Sequence, residues 1–334
     1  MRRRSLLLAA VPAGLVTVAG CGDDKSDTSK AGTSPSPSGS SGPPPKIVDG
    51  PLPAVTAGTK FGEKPTVAKG TGEPSKNIAV KTLIAGSGRT IAENDFVRAD
   101  YLGQVWSTAK VFDNSYDRHR PLVIQLAKGS IIDGWRYALA GKKTGSRVEI
   151  AVPPTWGYGK EGNPQAGIKG TDTLVFVIDL IDSFNSKSSA KGREVPQTDA
   201  ALPKVGTNTD GQVPKVTIPK ADPPKKLVSE YVLEGDGPEL KADQTVLCQF
   251  QGLVWEGGKT FQRTYGSGRL SQFGLEQMQQ AVKGLAEGLT GKKVGSRVLI
   301  VVPPQLGYGN TPPSGGVIKK DSTLVFTVDI LAAM

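Results

Sequence analysis

The string GKKTGSRV at residues 141–148 returns as GKKVGSRV at 291–298, and that recurrence decides the fold. Outward from it, other matches keep one spacing. Pro65 and Pro74 pair with Pro214 and Pro223, and Gly86 and Gly88 with Gly235 and Gly237. Gly103, Trp106 and Phe112 pair with Gly252, Trp255 and Phe261, all at an offset of 149. From Trp135 onward the offset is 150, so the second copy gains one residue between Ile124/Phe273 and Gly134/Gly284. Beyond that point Pro153-Pro154, Gly157-Tyr158-Gly159 and Leu174-Val175-Phe176 recur as Pro303-Pro304, Gly307-Tyr308-Gly309 and Leu324-Val325-Phe326. A period of this length is a duplicated domain and not a solenoid.

Within each copy the periodicity is that of strands. In RVEIAVPP (147–154) Val148, Ile150 and Val152 share one face until the prolines stop the run. Leu174, Phe176, Ile178 and Leu180 do the same in TLVFVIDL (173–180), as do Val97, Ala99 and Tyr101 in FVRADYLG (96–103). The best helical stretch is short, GWRYALAG at 134–141, bounded by glycines. These patterns predict an α+β fold, two tandem domains each with an antiparallel sheet and one short helix covering a face.

The N-terminus reads as an export signal. MRRRSLLLAAVPAGLVTVAG (1–20) sets a basic start before an apolar run that Pro12 and Gly14 interrupt. That run is shorter than the roughly 20 apolar residues of a spanning helix, so it is read as a cleaved signal peptide. Val18-Ala19-Gly20-Cys21 resembles a bacterial lipobox, which implies lipidation at Cys21; an unprocessed exported protein is the other reading. Arg3-Arg4 is loosely similar to a twin-arginine signal. The chain is expected at the cell membrane, lipid-anchored and facing outside the cytoplasm. Residues 21–57 carry the lipidated cysteine and a Ser/Gly/Pro-rich tether, too polar to order itself, spanning roughly 33 Å as a coil. A second polar stretch, 185–205, is expected to be a linker between domains at 58–184 and 206–334.

Composition excludes much chemistry. The only cysteines are Cys21 and Cys248, and lipidation of the first leaves no disulfide; Cys248 alternates with Val246 and Phe250 and reads as a core thiol. His119 is the only histidine and sits between arginines, so no zinc site of the usual ligands and no nucleophile–histidine pair can be assembled. GKKT (141–144) lacks the upstream glycine of a phosphate loop, and GSG (86–88) lacks the third glycine of a dinucleotide fingerprint. No metal and no cofactor are expected. The net charge of +10 is spread along the chain without interleaved aromatics, which argues for a solvated basic surface and no nucleic acid.

What remains in the first copy is an aromatic set, Tyr101, Phe112, Trp135, Tyr158 and Phe176, with Asp113 and Arg118. Its ordered signature is Tyr-x-Gly, Phe-Asp-x-Ser, Ile-x-Gly-Trp, Gly-x-Arg, Pro-Pro, Gly-Tyr-Gly and Leu-x-Phe. Over the whole of the copy this resembles an FKBP-type peptidyl-prolyl cis-trans isomerase. The resemblance implies a pocket floored by Trp135 and walled by Tyr101, Phe112, Leu122, Ile131, Ile132 and Phe176. Tyr158 and the Ile132 N–H would bond substrate carbonyls, and Asp113 would pair at the rim with Tyr101 and Arg118. The flap departs from the family pattern: it is one residue longer, and Lys169-Gly170 stand for the usual Pro-Pro. Ile168 still falls eight residues before Phe176. The implied partners are proline-containing chains outside the cytoplasm, with macrolide-type inhibitors binding the first domain.

The second copy keeps the scaffold and changes the pocket. Phe261, Tyr308, Ile318 and Phe326 persist, but Phe250 replaces Tyr101, Gln262 Asp113, Ser267 Arg118 and Leu285 Trp135. Two readings stand: a weak isomerase or binding module for extended chains, or an active variant with a smaller floor. For the whole chain, the expectation is an isomerase assisting the folding of secreted proteins, catalytic in domain 1. The alternative is a non-enzymatic peptide- or ligand-binding lipoprotein on the same fold.

Overall fold

The computed structural model describes residues 43–314 and 316–334. The signal peptide, Cys21 and the tether up to residue 42 lie outside the described residues.

In the first copy the elements are β1 (Ile47–Val48), β2 (Val55–Ala57), β3 (Thr66–Val67), β4 (Ile78–Ile84) and β5 (Phe96–Val105). There follow β6 (Val111–Asn114), β7 (Leu122–Gln125), α1 (Asp133–Leu139), β8 (Arg147–Val152) and β9 (Leu174–Phe184). The main sheet runs β1-β4-β8-β9-β5-β6, with β7 also on β5. Only the β1–β4 pair is parallel. The ten residues of β5 suffice to pair with β9 along one side and with both β7 and β6 on the other.

Alternation assigns each strand residue to a face. Val148, Ile150 and Val152 with Leu174, Phe176, Ile178 and Leu180 join the cluster under α1, as the sequence pattern predicts. Helix and sheet come close because Gly134 has no side chain: a Cβ there would stand 2.4 Å from Val152 Cγ1.

The opposite face is also covered, which the sequence reading did not anticipate. Ala151, Val175, Val177, Leu102 and Trp106 pack against Val67, Val48, Leu52 and Val55. Residues 47–67 therefore form a strap over the outer face, and the tether assignment to residue 57 runs too far. The strap is pinned by Arg147, the arginine of the repeated string. Its fully buried guanidinium holds Asp179 through two 2.6 Å bonds and donates to the carbonyls of Gly58 and Glu63. Strands of two or three residues carry no readable period, so this segment's order comes from those tertiary bonds.

The second copy repeats the plan with β10 (Arg193–Glu194), β11 (Lys204–Val205), β12 (Val216–Thr217), β13 (Val228–Glu234) and β14 (Thr245–Val254). Then come β15 (Thr260–Arg263), β16 (Ser271–Gly274), α2 (Leu275–Ala281), α3 (Lys283–Leu289), β17 (Arg297–Val302) and β18 (Leu324–Ala333). Its sheet runs β10-β13-β17-β18-β14-β15, with β16 on β14. The 185–205 segment is not a free linker. Gln249, fully buried, donates to the carbonyls of Ser186 (3.0 Å) and Ser188 (2.7 Å), and the Ala190 N–H donates to Asp329 at 3.0 Å. Farther on, β10 pairs with β13, and Leu202 and Val205 enter the outer-face cluster of this copy. Val123 and Phe184 of the first copy share a further apolar cluster with Leu247, Leu331 and Ala332 of the second.

Candidate active site

The pocket of the first copy is assembled from most of its elements. Tyr101 comes from β5, Phe112 and Asp113 from β6, and Leu122 opens β7. Ile131 and Ile132 lead into α1, which carries Trp135, and Phe176 lies on β9. Arg118 ends a short 3-10 turn, Tyr116–Arg118, that His119 closes in the left-handed region. All of the predicted apolar and aromatic residues, Tyr158 and Ile168 included, fall in one cluster.

The rings meet edge to face, the arrangement their quadrupoles favour. Trp135 is crossed by Tyr101 (5.4 Å, 84°) and by Phe176 (5.4 Å, 87°), and Phe176 in turn by Phe112 (5.6 Å, 84°). Trp135 is buried, and its indole N–H has no partner among the described residues.

One polar network borders the aromatic cluster. The Tyr101 hydroxyl donates to Asp113 Oδ2, the Arg118 guanidinium donates to Asp113 Oδ1, and Arg118 also reaches the Tyr101 oxygen at 3.2 Å. Burial, reinforced by the Asp113 carboxylate, pushes the Tyr101 hydroxyl well up, so it stays protonated as the donor. Arg118 is raised by its bond to Asp113 and stays charged. The Tyr158 hydroxyl is also pushed up by burial, with a hydrogen bond to Asn163 opposing, and remains a donor.

Two positioning residues escaped the sequence reading. Ser115, fully buried, accepts from the Tyr101 N–H (2.9 Å) and donates to Asp100 (2.7 Å), which fixes the turn beneath Asp113. Asn163 exchanges two 2.9 Å backbone bonds with Ile168 and accepts the Ala166 N–H at 3.3 Å. That tight loop buries Ile168 although the family's prolines are missing. The Ser of Phe-Asp-x-Ser was a visible signal; nothing in the sequence marked Asn163.

In the second copy Phe250, Leu285, Ile318 and Phe326 are buried, with Phe261 and Tyr308 packed against them. Phe261 and Phe326 keep their edge contact at 5.7 Å and 87°. With Leu285 as the floor, the stack over it is gone. Elsewhere His119 is exposed, and burial pushes the Cys248 thiol far up, which leaves it an inert core group. Among the described residues no group of His, Cys, Asp and Glu is placed to hold a metal ion.

Tyr101, Phe112, Trp135, Tyr158 and Phe176 thus pack in one cluster, with the Asp113 carboxylate held at its edge by Tyr101 and Arg118. Comparison with known proteins names the class. The profile of FKBP-type peptidyl-prolyl cis-trans isomerases matches residues 87–181 and again 237–331, more than half of the chain. This protein belongs to that family, with two tandem domains of it. It is 37% identical over 119 residues to the FK506-binding protein of Streptomyces anulatus, covering 36% of this chain and 96% of that protein. It is 29% identical over 262 residues to human peptidyl-prolyl cis-trans isomerase FKBP9, covering 77% of this chain but only 38% of the relative. Against the FKBP-type isomerase FkpA of Escherichia coli it is 34% identical over 143 residues, covering 43% of this chain and 50% of that protein. The crystal structure of FkpA matches 35% of this chain and 52% of its own, at 35% identity and a TM-score of 0.30.

Proposed function

We propose that this protein is an extracytoplasmic peptidyl-prolyl isomerase, lipid-anchored at Cys21, that assists the folding of exported chains. Catalysis lies in the first domain, and the second holds client chains with little or no activity of its own. The observation that carries this is the Tyr101–Asp113–Arg118 network over the Trp135 floor, built in the first copy and replaced in the second by Phe250, Gln262, Ser267 and Leu285.

Rotation about an amide costs ~18–20 kcal/mol because resonance is lost in the twisted state. X-Pro bonds populate both isomers yet exchange in tens to hundreds of seconds. A prolyl ring seated on Trp135 between Phe112 and Phe176 leaves water behind. The Ile132 N–H and the Tyr158 hydroxyl are the donors for flanking carbonyls. The twisted amide is less polarised than the planar one, so the apolar wall stabilises it preferentially. The rim carboxylate, held in advance by Tyr101 and Arg118, needs no reorganisation as the bond turns. No proton transfer and no covalent bond to protein are required, and each ~1.4 kcal/mol of such preference is a factor of ten in rate. The same hollow suits macrolide-type inhibitors.

Location rests on the basic, apolar and small-residue pattern that ends at Cys21. Its test is fractionation of the native host: the wild-type chain should partition with membranes, and Cys21→Ser should release it. The activity is tested by isomerisation of a short X-Pro peptide by the full chain. Catalysis that Asp113→Gln sharply reduces supports the assignment, and no acceleration by the wild-type chain refutes it.

A further inference from the structure

The two copies travel from sheet to helix by different routes. Both leave alike: the N–H groups of Leu126 and Leu275 donate to the carbonyls of Asp95 and Gln244, each at 2.9 Å. Both arrive alike: the carbonyl of Ile132 accepts from Trp135 at 3.1 Å, and that of Val282 from Leu285 at 3.0 Å. Each then accepts a longer bond, 3.4 Å, from Arg136 or Ala286. Between these fixed ends the first copy has AKGSI and the second EQMQQA.

Gly129 sits at φ +82° and breaks any helix in the first segment, which forms a loop closed by a bridge from Lys128 to Ile131. The second segment has no glycine and no β-branched residue, and it winds into α2. The residue by which the repeat lengthens from 149 to 150 lies in this interval. The consequence falls on one backbone group. The Val282 N–H donates to the Met278 carbonyl at 2.8 Å, completing the last turn of α2. Its counterpart, the Ile132 N–H, makes no hydrogen bond among the described residues.

We infer that α2 disables the second pocket as an isomerase by occupying the backbone donor that a prolyl substrate's carbonyl would take, so that the open Gly129 loop is a catalytic determinant of the first pocket. This rests on the role given to the Ile132 N–H under the proposed function. It assigns the loss to the backbone as well as to the four changed side chains.

The test uses the full chain with the first pocket silenced by Tyr101→Phe, Asp113→Gln, Arg118→Ser and Trp135→Leu. One variant restores the second pocket's side chains by Phe250→Tyr, Gln262→Asp, Ser267→Arg and Leu285→Trp. The other adds the loop, with residues 276–282 replaced by AKGSII. With an X-Pro peptide, the side-chain variant should stay at least about tenfold below the native chain, and the loop variant should exceed it by about fivefold or more. A side-chain variant within about threefold of native, or a folded loop variant no faster than it, overturns the inference.

Amide exchange in the unmodified chain tests it without any variant. The Val282 N–H should exchange at least about tenfold more slowly than the Ile132 N–H, and an X-Pro peptide should shift the Ile132 amide resonance and not that of Val282. Equal exchange, or a peptide shift at Val282, contradicts the inference. A native chain inactive on the peptide defeats the proposed function while leaving the exchange comparison intact, so the two failures are distinct.

Discussion

Arg147 and Asp179 face each other across adjacent strands, both fully buried, with the guanidinium held to both carboxylate oxygens at 2.6 Å. Arg297 and Asp329 repeat the pair in the second copy at 2.6 and 2.8 Å. The arginine is what the recurring GSRV preserves: a clamp joining the sheet to the strap that covers its outer face. In the second copy it reaches the carbonyls of Gly206 and Asn208, both at 2.8 Å.

Arg147→Met removes the clamp and leaves Asp179 charged and buried. Breaking such a pair costs about 3–5 kcal/mol, so urea unfolding of the full chain should show the first domain destabilised by that order. Limited proteolysis should show new cuts within residues 47–67 that the unmodified chain resists. Unchanged stability, or equal resistance of residues 47–67 in the two chains, would contradict the clamp.

Glu149 lies on β8 between Arg147 and Ala151, where the second copy has Leu299. It is 2% exposed, its Oε1 has no partner among the described residues, and burial raises its carboxyl to about 7 against the Lys81 charge. The unfolded chain gives up this proton near the ordinary carboxylate value and the folded chain only near neutrality. The group therefore costs nothing below about pH 4.5, an increasing amount from there to about pH 7, and a constant roughly 3 kcal/mol above it. Glu149→Leu should remove that downward slope from the stability–pH curve and raise the thermal midpoint at pH 8. Parallel curves for the two proteins would refute it.

Gly134→Ala sets helix propensity against packing. Alanine favours a helix interior by about 1 kcal/mol, but its Cβ would meet Val152 at 2.4 Å. Overpacking costs about 1–3 kcal/mol, and the displaced helix carries the pocket floor, so both stability and kcat/KM on an X-Pro peptide should fall. A stabilised and fully active variant would show that the helix can move without consequence.

Tyr101→Phe introduces the second copy's residue and removes one donor from Asp113 while Arg118 still holds the other oxygen. The expected loss is about threefold to tenfold in kcat/KM, with Asp113→Gln costing about tenfold or more. Thermal midpoints should move little for either, because Tyr101→Phe keeps the buried ring and the Asp113 side chain is 40% exposed. A Tyr101→Phe effect larger than that of Asp113→Gln would mean that the hydroxyl, and not the carboxylate, is the important group.

Strands β5, β8 and β9 were legible because apolar residues alternate onto one face, as Val148, Ile150 and Val152 show, and α1 because glycines bound a short helical stretch. The aromatic cluster of the first copy was legible because Phe112-Asp113 and Gly134-Trp135 sit within an ordered family signature. The strap was not, since its strands are two or three residues long and its order comes from Arg147 reaching distant carbonyls. A signal was nonetheless present: Leu52-Pro53 and Val55 match Leu202-Pro203 and Val205 at an offset of 150, so the repeat begins inside both supposed spacers. α2 was hidden in the same way, in the interval where the offset lengthens from 149 to 150. Ser115 and Asn163 act through hydrogen bonds that periodicity does not register.

The most direct measurement is X-Pro peptide isomerisation by the full chain carrying Tyr101→Phe, Asp113→Gln, Arg118→Ser and Trp135→Leu, which gives the first pocket the second's side chains. With folding verified by circular dichroism, activity should fall to the uncatalysed background, leaving the unmodified second domain silent. Activity within about twofold of the native chain would place catalysis outside the first pocket and contradict the account.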